Sequence, residues 1–398
     1  MMATESGIHA SRGRNDRASF DRITLRSRWP QGVIYDLEST SDDGFLLLTG
    51  QHDQSIAFVS KYDSNGTWDR NFGTDGVVQA PDSQNWRFER VMLKEAGNRF
   101  FLVDSKWSDE EESNVVLVKC YLADGRLDDS FGNQGEFQAS TQEAGVSALA
   151  YDEQSGALYV MMRPSSTTGS RLVVWRIDQS GHFDQGFGAG GAAQVDFPQA
   201  ATLTLAEAWV QEVSGENRLL LTLTASVAGK EHVGFTRLSV KGELDKTFGT
   251  DGWRIQQPDG RWGGTFLDPQ QSLKYVEKSD EVVKVYGLTQ DGEGPELTFE
   301  SPEKVGNDRG WNAPISQLAD GGYRIIHASI DQAGGSTRPG YVYRVNDSGD
   351  LDVDFGQDGR FKLESDFAWT IVVPKIALAR NGIDLLVWVG DSVYGIKG

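Results

Sequence analysis

Five tryptophans precede innermost predicted β-strands, four of them by a few residues and Trp262 in a longer loop, at positions where an indole can bind a ligand. They are Trp29, Trp86, Trp262, Trp311 and Trp369. An indole offers a flat apolar face and an N–H donor, which suits stacking on a sugar ring, an aromatic ligand or a peptide side chain. The alternative is that each indole fills a gap between neighbouring structural units. The sequence leaves both interpretations open.

A second set of residues is charged and lies at similar distances from the ends of the same strands. The set is Asp36, Arg90, Glu207 and Lys375, with Glu89 beside Arg90. In an enzyme, Asp36, Glu89, Arg90 and Lys375 would serve as acid, base or electrostatic groups. The alternative is a structural network along the axis of the fold, since buried charges need partners. No catalytic role is assigned to any one residue.

Other signals of chemistry are weak. The five histidines lie far apart without metal-ligand spacing, so no metal and no cofactor is predicted. The sequence has no nucleophile elbow and no phosphate-binding glycine loop. Trp107 and the acidic run Asp109–Ser113 are predicted to lie on a solvated loop of the tryptophan-bearing face.

A repeat organises the elements that must position these residues. The pattern Gly-x-x-Asp-x-x-Phe-Gly-x-x-Gly occurs five times, with its phenylalanine at Phe72, Phe131, Phe187, Phe248 and Phe355. The first four are 59, 56 and 61 residues apart, and the last interval of 107 residues is two periods. Phe299 is interpreted as the remnant of the skipped copy and Phe20 as another remnant. Counting both predicts seven units.

Each unit is predicted to contain four short strands, because alternating apolar residues are separated by Asp-Gly and Asn-Gly turn pairs. The last unit has only three strands, and an unpaired edge is unfavourable. We therefore expect Phe20–Arg26 to pair alongside Val393–Ile396. The predicted fold is all-β, a seven-bladed β-propeller of four-stranded antiparallel blades. The N-terminal strand would complete the last blade and close the ring.

The motif resembles that of the delta-60 repeat family of bacterial proteins. The resemblance covers five units directly and, by spacing, almost the whole chain after about residue 18. It implies a β-propeller and no particular activity.

Within the motif we expect the glycine to form a turn, the aspartate to accept backbone N–H bonds, and the phenylalanine to pack between blades. Calcium binding is the alternative, but the acidic position of Asp63 is Leu122 in the next copy.

Composition limits the partners. The formal net charge of −20 argues against nucleic acid and anionic membranes, which need a basic face. No apolar run reaches membrane-spanning length, and residues 1–17 are predicted to be a disordered tail without a signal peptide. Residues 18–398 are expected to form a single propeller domain in a soluble monomer, located in the cytoplasm or exported without a cleavable signal.

The residues shared by all units hold a repeat fold together, so a unique site must come from what differs between units. We therefore expect a non-catalytic recognition module whose tryptophan-bearing face, around the central channel, binds a glycan, small molecule, peptide or protein. The alternative is an enzyme, a lyase or hydrolase, with its active site at the channel mouth.

Overall fold

The computed structural model describes the chain as β-strands joined by turns. The described residues are 20–23, 33–42, 44–51, 56–63, 66–80, 92–165, 171–197, 202–257, 261–268, 270–278, 283–294, 296–300, 315–317, 323–327, 340–346, 350–363, 376–377, 385–389 and 392–396. The predicted tail of residues 1–17 lies outside these ranges.

Five consecutive groups of four strands form blades one to five, each an antiparallel meander in chain order. Blade one is β2 (Val33–Ser39), β3 (Phe45–Gln51), β4 (Ile56–Tyr62) and β5 (Val77–Gln79). Blade two is β6 (Met92–Glu95), β7 (Arg99–Ser108), β8 (Ser113–Leu122) and β9 (Glu136–Thr141). Blade three is β10 (Val146–Asp152), β11 (Ala157–Met162), β12 (Arg171–Ile177) and β13 (Ala192–Asp196). Blade four is β14 (Thr202–Val213), β15 (Glu216–Val227), β16 (Lys230–Leu238) and β17 (Trp253–Gln256). Blade five is β18 (Arg261–Leu267), β19 (Leu273–Lys278), β20 (Val283–Gly287) and β21 (Glu296–Glu300).

Backbone pairing defines two further four-stranded sheets. One contains β22 (Ile315–Gln317), β23 (Tyr323–His327), β24 (Gly340–Val345) and β25 (Arg360–Leu363). The other contains β26 (Ile376–Ala377), β27 (Leu385–Val389), β28 (Ser392–Ile396) and β1 (Phe20–Ile23). In the second sheet Phe20 pairs with Ile396 and Ile23 with Val393, which is the pairing of the two chain ends that the sequence predicts.

The all-β propeller class is as predicted, but the predicted ring of seven packed blades is corrected. The apolar cores that the described side chains form join five four-stranded blades, one to five. The count of seven units depended on interpreting Phe299 and Phe20 as remnants of the motif. Neither residue lies in a motif loop. Phe299 lies within β21 opposite Val285, and Phe20 lies within β1. In blade five the glycine equivalent to the first motif glycine is Gly292. Because β21 begins at Glu296, most of the motif loop is missing from this blade.

The motif phenylalanines lie between blades, where each is at most 1% exposed. Phe72 of blade one contacts the ring of Phe100 in blade two, with centroids 5.7 Å apart. Phe187 belongs to the core shared by blades three and four, and Phe248 to the core shared by blades four and five. Full burial of such rings is a main source of stability in this fold.

The motif glycines link neighbouring loops at close range. The N–H of Gly73 donates to the carbonyl oxygen of Asp124 at 2.7 Å, and the same bond recurs at the next three interfaces. Gly125, the residue after Asp124, has a φ of 86°. It lies so close to Gly73 that a Cβ added to Gly125 would be 2.5 Å from the Gly73 nitrogen. Only glycine fits both the left-handed conformation and the space.

The motif aspartates have two roles, one in the turn and one in charge pairing. Asp245 accepts the N–H of Thr247 with Oδ1 at 3.0 Å and the Arg237 Nε–H with Oδ2 at 2.7 Å. Arg237 is fully buried, and its guanidinium lies over the Phe248 ring. The repeat therefore carries a buried ion pair beside its phenylalanine.

Candidate ligand-binding site

The innermost strands of neighbouring blades contact each other and carry two of the predicted charged residues at equivalent positions. Asp36 pairs with Leu48 and Glu207 with Thr222. Leu48 and Thr222 are equivalent, because each lies three residues beyond the residue that pairs with the end of the third strand, Phe45 with Tyr62 and Leu219 with Leu238. In blade two the residue described at the equivalent position is Met92, and Arg90 lies outside the described residues. Blades one and four thus present a carboxylate where blades two and three present Met92 and Ala148.

Asp36 connects blade one to blade two. It is 7% exposed, its Oδ1 accepts the Leu37 N–H at 2.8 Å, and its Oδ2 accepts the Leu93 N–H at 3.1 Å. A carboxylate that accepts backbone N–H groups on both oxygens is held in one orientation. These contacts favour the structural interpretation of Asp36.

Glu207 makes the equivalent connection between blades four and five, with an added hydroxyl. Its Oε2 accepts the Thr265 N–H at 3.2 Å and the Thr265 hydroxyl at 2.6 Å. The Trp209 indole donates to the same hydroxyl oxygen at 3.0 Å, which sets the direction of the Thr265 O–H. Burial raises the pKa of Glu207 to about 7, and the two bonds from Thr265 lower it only in part. A carboxyl group that titrates near neutral pH can give or take a proton.

Sequence reasoning aligned Glu207 but missed Trp209 and Thr265. Trp209 is two residues from Glu207 on β14, so both point to the same face of the strand. Thr265 lies 58 residues after Glu207, close to the repeat period. Aligning the innermost strands of blades four and five places Thr265 one residue beyond the position equivalent to Glu207.

Trp262 is the one predicted tryptophan that lies within the described residues. It lies on β18 beside an irregularity at Gly263 and opposite Glu277. It packs against the apolar core between blades four and five, and its buried Nε1 has no hydrogen-bond partner within the described part of the chain. This environment favours the gap-filling interpretation for Trp262.

The remaining predicted site residues lie outside the described residues. They are Trp29, Trp86, Trp311, Trp369, Glu89, Arg90 and Lys375. The arc of indoles therefore stays a prediction.

The β7–β8 hairpin carries an exposed tryptophan on the face opposite the repeat loops. The repeat loops join third and fourth strands, whereas this hairpin joins second and third strands and points the other way. Trp107 is 57% exposed and lies in β7, not in the loop that the sequence predicts. Its cross-strand partner is Asn114, which is 7% exposed. The four acidic residues of the turn, 109–112, are all exposed.

No protein-family profile matches the chain, and no curated protein matches it. Several solved structures do. Puromycin hydrolase matches with a TM-score of 0.51 at 10% identity, over 92% of this chain and 50% of that one. Prolyl oligopeptidase B from Galerina marginata has a TM-score of 0.42 at 12% identity, over 84% and 51%. The β-propeller domain of the Trilobed protease from Pyrococcus furiosus has a TM-score of 0.35 at 7% identity, over 80% and 96%.

The chain spans about half the length of the first two proteins. At such low identity the likeness to puromycin hydrolase concerns the fold alone, a β-propeller. Within the described ranges the structure contains no helix that is long and apolar enough to cross a membrane.

Proposed function

We propose that this protein is a non-catalytic recognition module that binds a glycan, peptide or protein with the face opposite its repeat loops. The observation that carries the proposal is Trp107, which is 57% exposed on that face. Tryptophan is enriched among the residues that contribute most to protein binding interfaces. The predicted indoles Trp86 and Trp311 would extend the same surface around the channel mouth.

The contacts of Asp36 support binding over catalysis at the first innermost strand. Both of its oxygens accept backbone N–H groups, one of them from the neighbouring blade. A general base needs an oxygen that can reach a substrate proton. Asp36 is thereby better suited to hold two blades together.

The test is a glycan array combined with ligand-detected NMR on the full chain. We expect a ligand to bind without chemical conversion, and Trp86→Ala or Trp311→Ala to weaken binding. The matched control is Val240→Ala, since Val240 is exposed on the side of the repeat loops. If both tryptophan variants bind as the wild type does, the channel-mouth platform is wrong.

Glu207 favours one alternative, a lyase or hydrolase with its active site at the channel mouth. Its pKa of about 7 suits a group that transfers protons at neutral pH. Conversion of a bound compound, lost in Arg90→Ala and in Glu207→Gln, would establish the enzyme and overturn the binding module. Binding without conversion would exclude it for that compound.

Four further expectations belong to the same proposal: a delta-60 type of repeat, a single domain over residues 18–398, a monomer, and a location in the cytoplasm or outside the cell. The spacing of the five motif copies supports the first two. Sedimentation analysis tests the monomer, and limited proteolysis followed by mass spectrometry tests the single domain.

A further inference from the structure

The β7–β8 hairpin presents an aromatic side chain to solvent at its tip. Trp107 lies next to the turn that joins Arg99–Ser108 to Ser113–Leu122. The other described exposed large hydrophobic residues, Val240 and Val353, lie in repeat loops on the opposite side. Among the described residues, Trp107 is therefore the large apolar side chain that this face exposes.

Beside this indole lies a buried hydrogen-bond acceptor for which the described residues provide no donor. Asn114 pairs directly with Trp107, so the two side chains share one face of the sheet. Its Nδ2 donates to the carbonyl oxygen of Glu143 at 2.7 Å, which fixes the amide. Its Oδ1 is buried and has no partner within the described part of the chain. A buried acceptor of this kind is costly unless a donor reaches it.

The charged residues of the turn next to the indole are all negative. Asp109, Glu110, Glu111 and Glu112 are exposed in the turn, and Glu111 also accepts a hydrogen bond from the Ser140 hydroxyl. An indole face attracts cations through its quadrupole, and nearby carboxylates add to that attraction. Lys106 is the adjacent cation, but it precedes Trp107 and so points to the other face of the strand.

We infer that the Trp107 face of this hairpin binds a lysine- or arginine-bearing peptide segment of a partner protein. The cationic head group lies against the indole, next to the Asn114 side chain, while the turn carboxylates attract it and neighbouring positive charges. The inference rests on the proposed recognition function and names the class of its ligand, a cationic peptide rather than a glycan.

The experiment titrates the full chain with hexalysine, and with hexaglutamate as the control peptide, by isothermal calorimetry at two salt concentrations. We expect hexalysine alone to bind, Trp107→Ala to lower its affinity about tenfold, and Trp107→Phe to lower it less. Asp109→Asn with Glu110→Gln should weaken binding and flatten its salt dependence.

The matched control removes the same charge from the opposite side, with Glu243→Gln and Asp251→Asn. These two residues are exposed in a repeat loop. If both charge-removing pairs weaken binding equally, the net charge of the chain attracts the peptide and the site is wrong. Absence of hexalysine binding at about 1 mM also overturns the inference.

The two proposals can fail separately. If Trp86→Ala or Trp311→Ala abolishes binding of a ligand while Trp107→Ala leaves hexalysine binding unchanged, the recognition module stands and the cationic site falls. If only the Trp107 variants lose binding, the hairpin is the recognition surface and the channel-mouth platform is wrong.

Discussion

The interface between blades three and four differs from the interface between blades four and five at equivalent positions. Ala148 of blade three and Ala208 of blade four pack in one apolar core. One blade further on, Glu207 and Thr265 take these two places and form a hydrogen-bonded pair. The second interface also buries polar atoms without described partners, among them Arg254 Nε and Trp262 Nε1. A carboxylate therefore crosses the interface between blades one and two and the interface between blades four and five, whereas the two interfaces between them are apolar at this position.

The comparison suggests that some interfaces mainly stabilise the fold, whereas the interface before blade five can also serve a function. Interfaces built from the motif supply stability, since each adds a buried phenylalanine and a backbone bond between loops. The fifth blade has lost most of its motif loop, and the interface before it contains a titratable carboxyl group. Proteins often retain polar groups at buried positions where function requires them.

The largest effect is expected from Phe187→Ala, which breaks the apolar interface. Phe187 is fully buried in the core of blades three and four, so the truncation leaves a cavity. We expect a loss of about 3–5 kcal/mol in the free energy of unfolding. Urea denaturation followed by circular dichroism measures it, with Val240→Ala as the exposed control. A loss comparable to that of the control would show that the motif rings do not stabilise the fold.

Asp245→Asn should have the next largest effect, because it leaves the fully buried Arg237 without its carboxylate. We expect a loss of about 3 kcal/mol at pH 7. Burial raises the pKa of Asp245, but hydrogen bonds from Thr247, Arg237 and Arg218 outweigh it and lower that pKa to about 2. Since the folded pKa lies below the ordinary value of 3.8, the stabilisation is present above pH 3.8 and is lost as the pH falls towards 2. The variant should approach the wild type at acidic pH, and a constant difference would contradict the pairing.

Glu207→Gln should have the opposite dependence on pH. Burial raises the folded pKa of Glu207 from 4.5 to about 7, so its favourable contribution is complete below pH 4.5 and is lost as the pH rises through 7. Glutamine carries no charge, so we expect the variant to gain about 1–2 kcal/mol relative to the wild type between pH 5 and pH 8, after allowing for partial exposure. Urea titrations at both pH values measure this gain. Glu212→Gln, an exposed change on the same strand, should show no such gain.

The sequence predicted the framework better than the site. The repeat predicted four-stranded sheets, because it fixes the period and the strand order. The strand missing from the last unit predicted that the segment beginning at Phe20 pairs alongside Val393–Ile396, as it does. It miscounted the packed blades, because Phe299 matched the spacing but lies within a strand. Thr265 was missed since a threonine in a strand carries no signal of its own. The role of Thr265 depends on its hydrogen bond to Glu207 in the neighbouring blade.

The smallest effect is expected from Thr265→Val, which isolates the hydroxyl at the fourth interface. The change keeps the shape of the side chain but removes a donor to Glu207 and the acceptor of the Trp209 indole. We expect a loss of about 1 kcal/mol at pH 8, where the carboxylate needs the donor most. Because the hydroxyl lowers the pKa of Glu207, that pKa should rise further in the variant. Carbon-detected NMR titration of the Glu207 carboxyl measures the shift. An unchanged pKa would mean that burial alone sets it and that Thr265 only positions the strand.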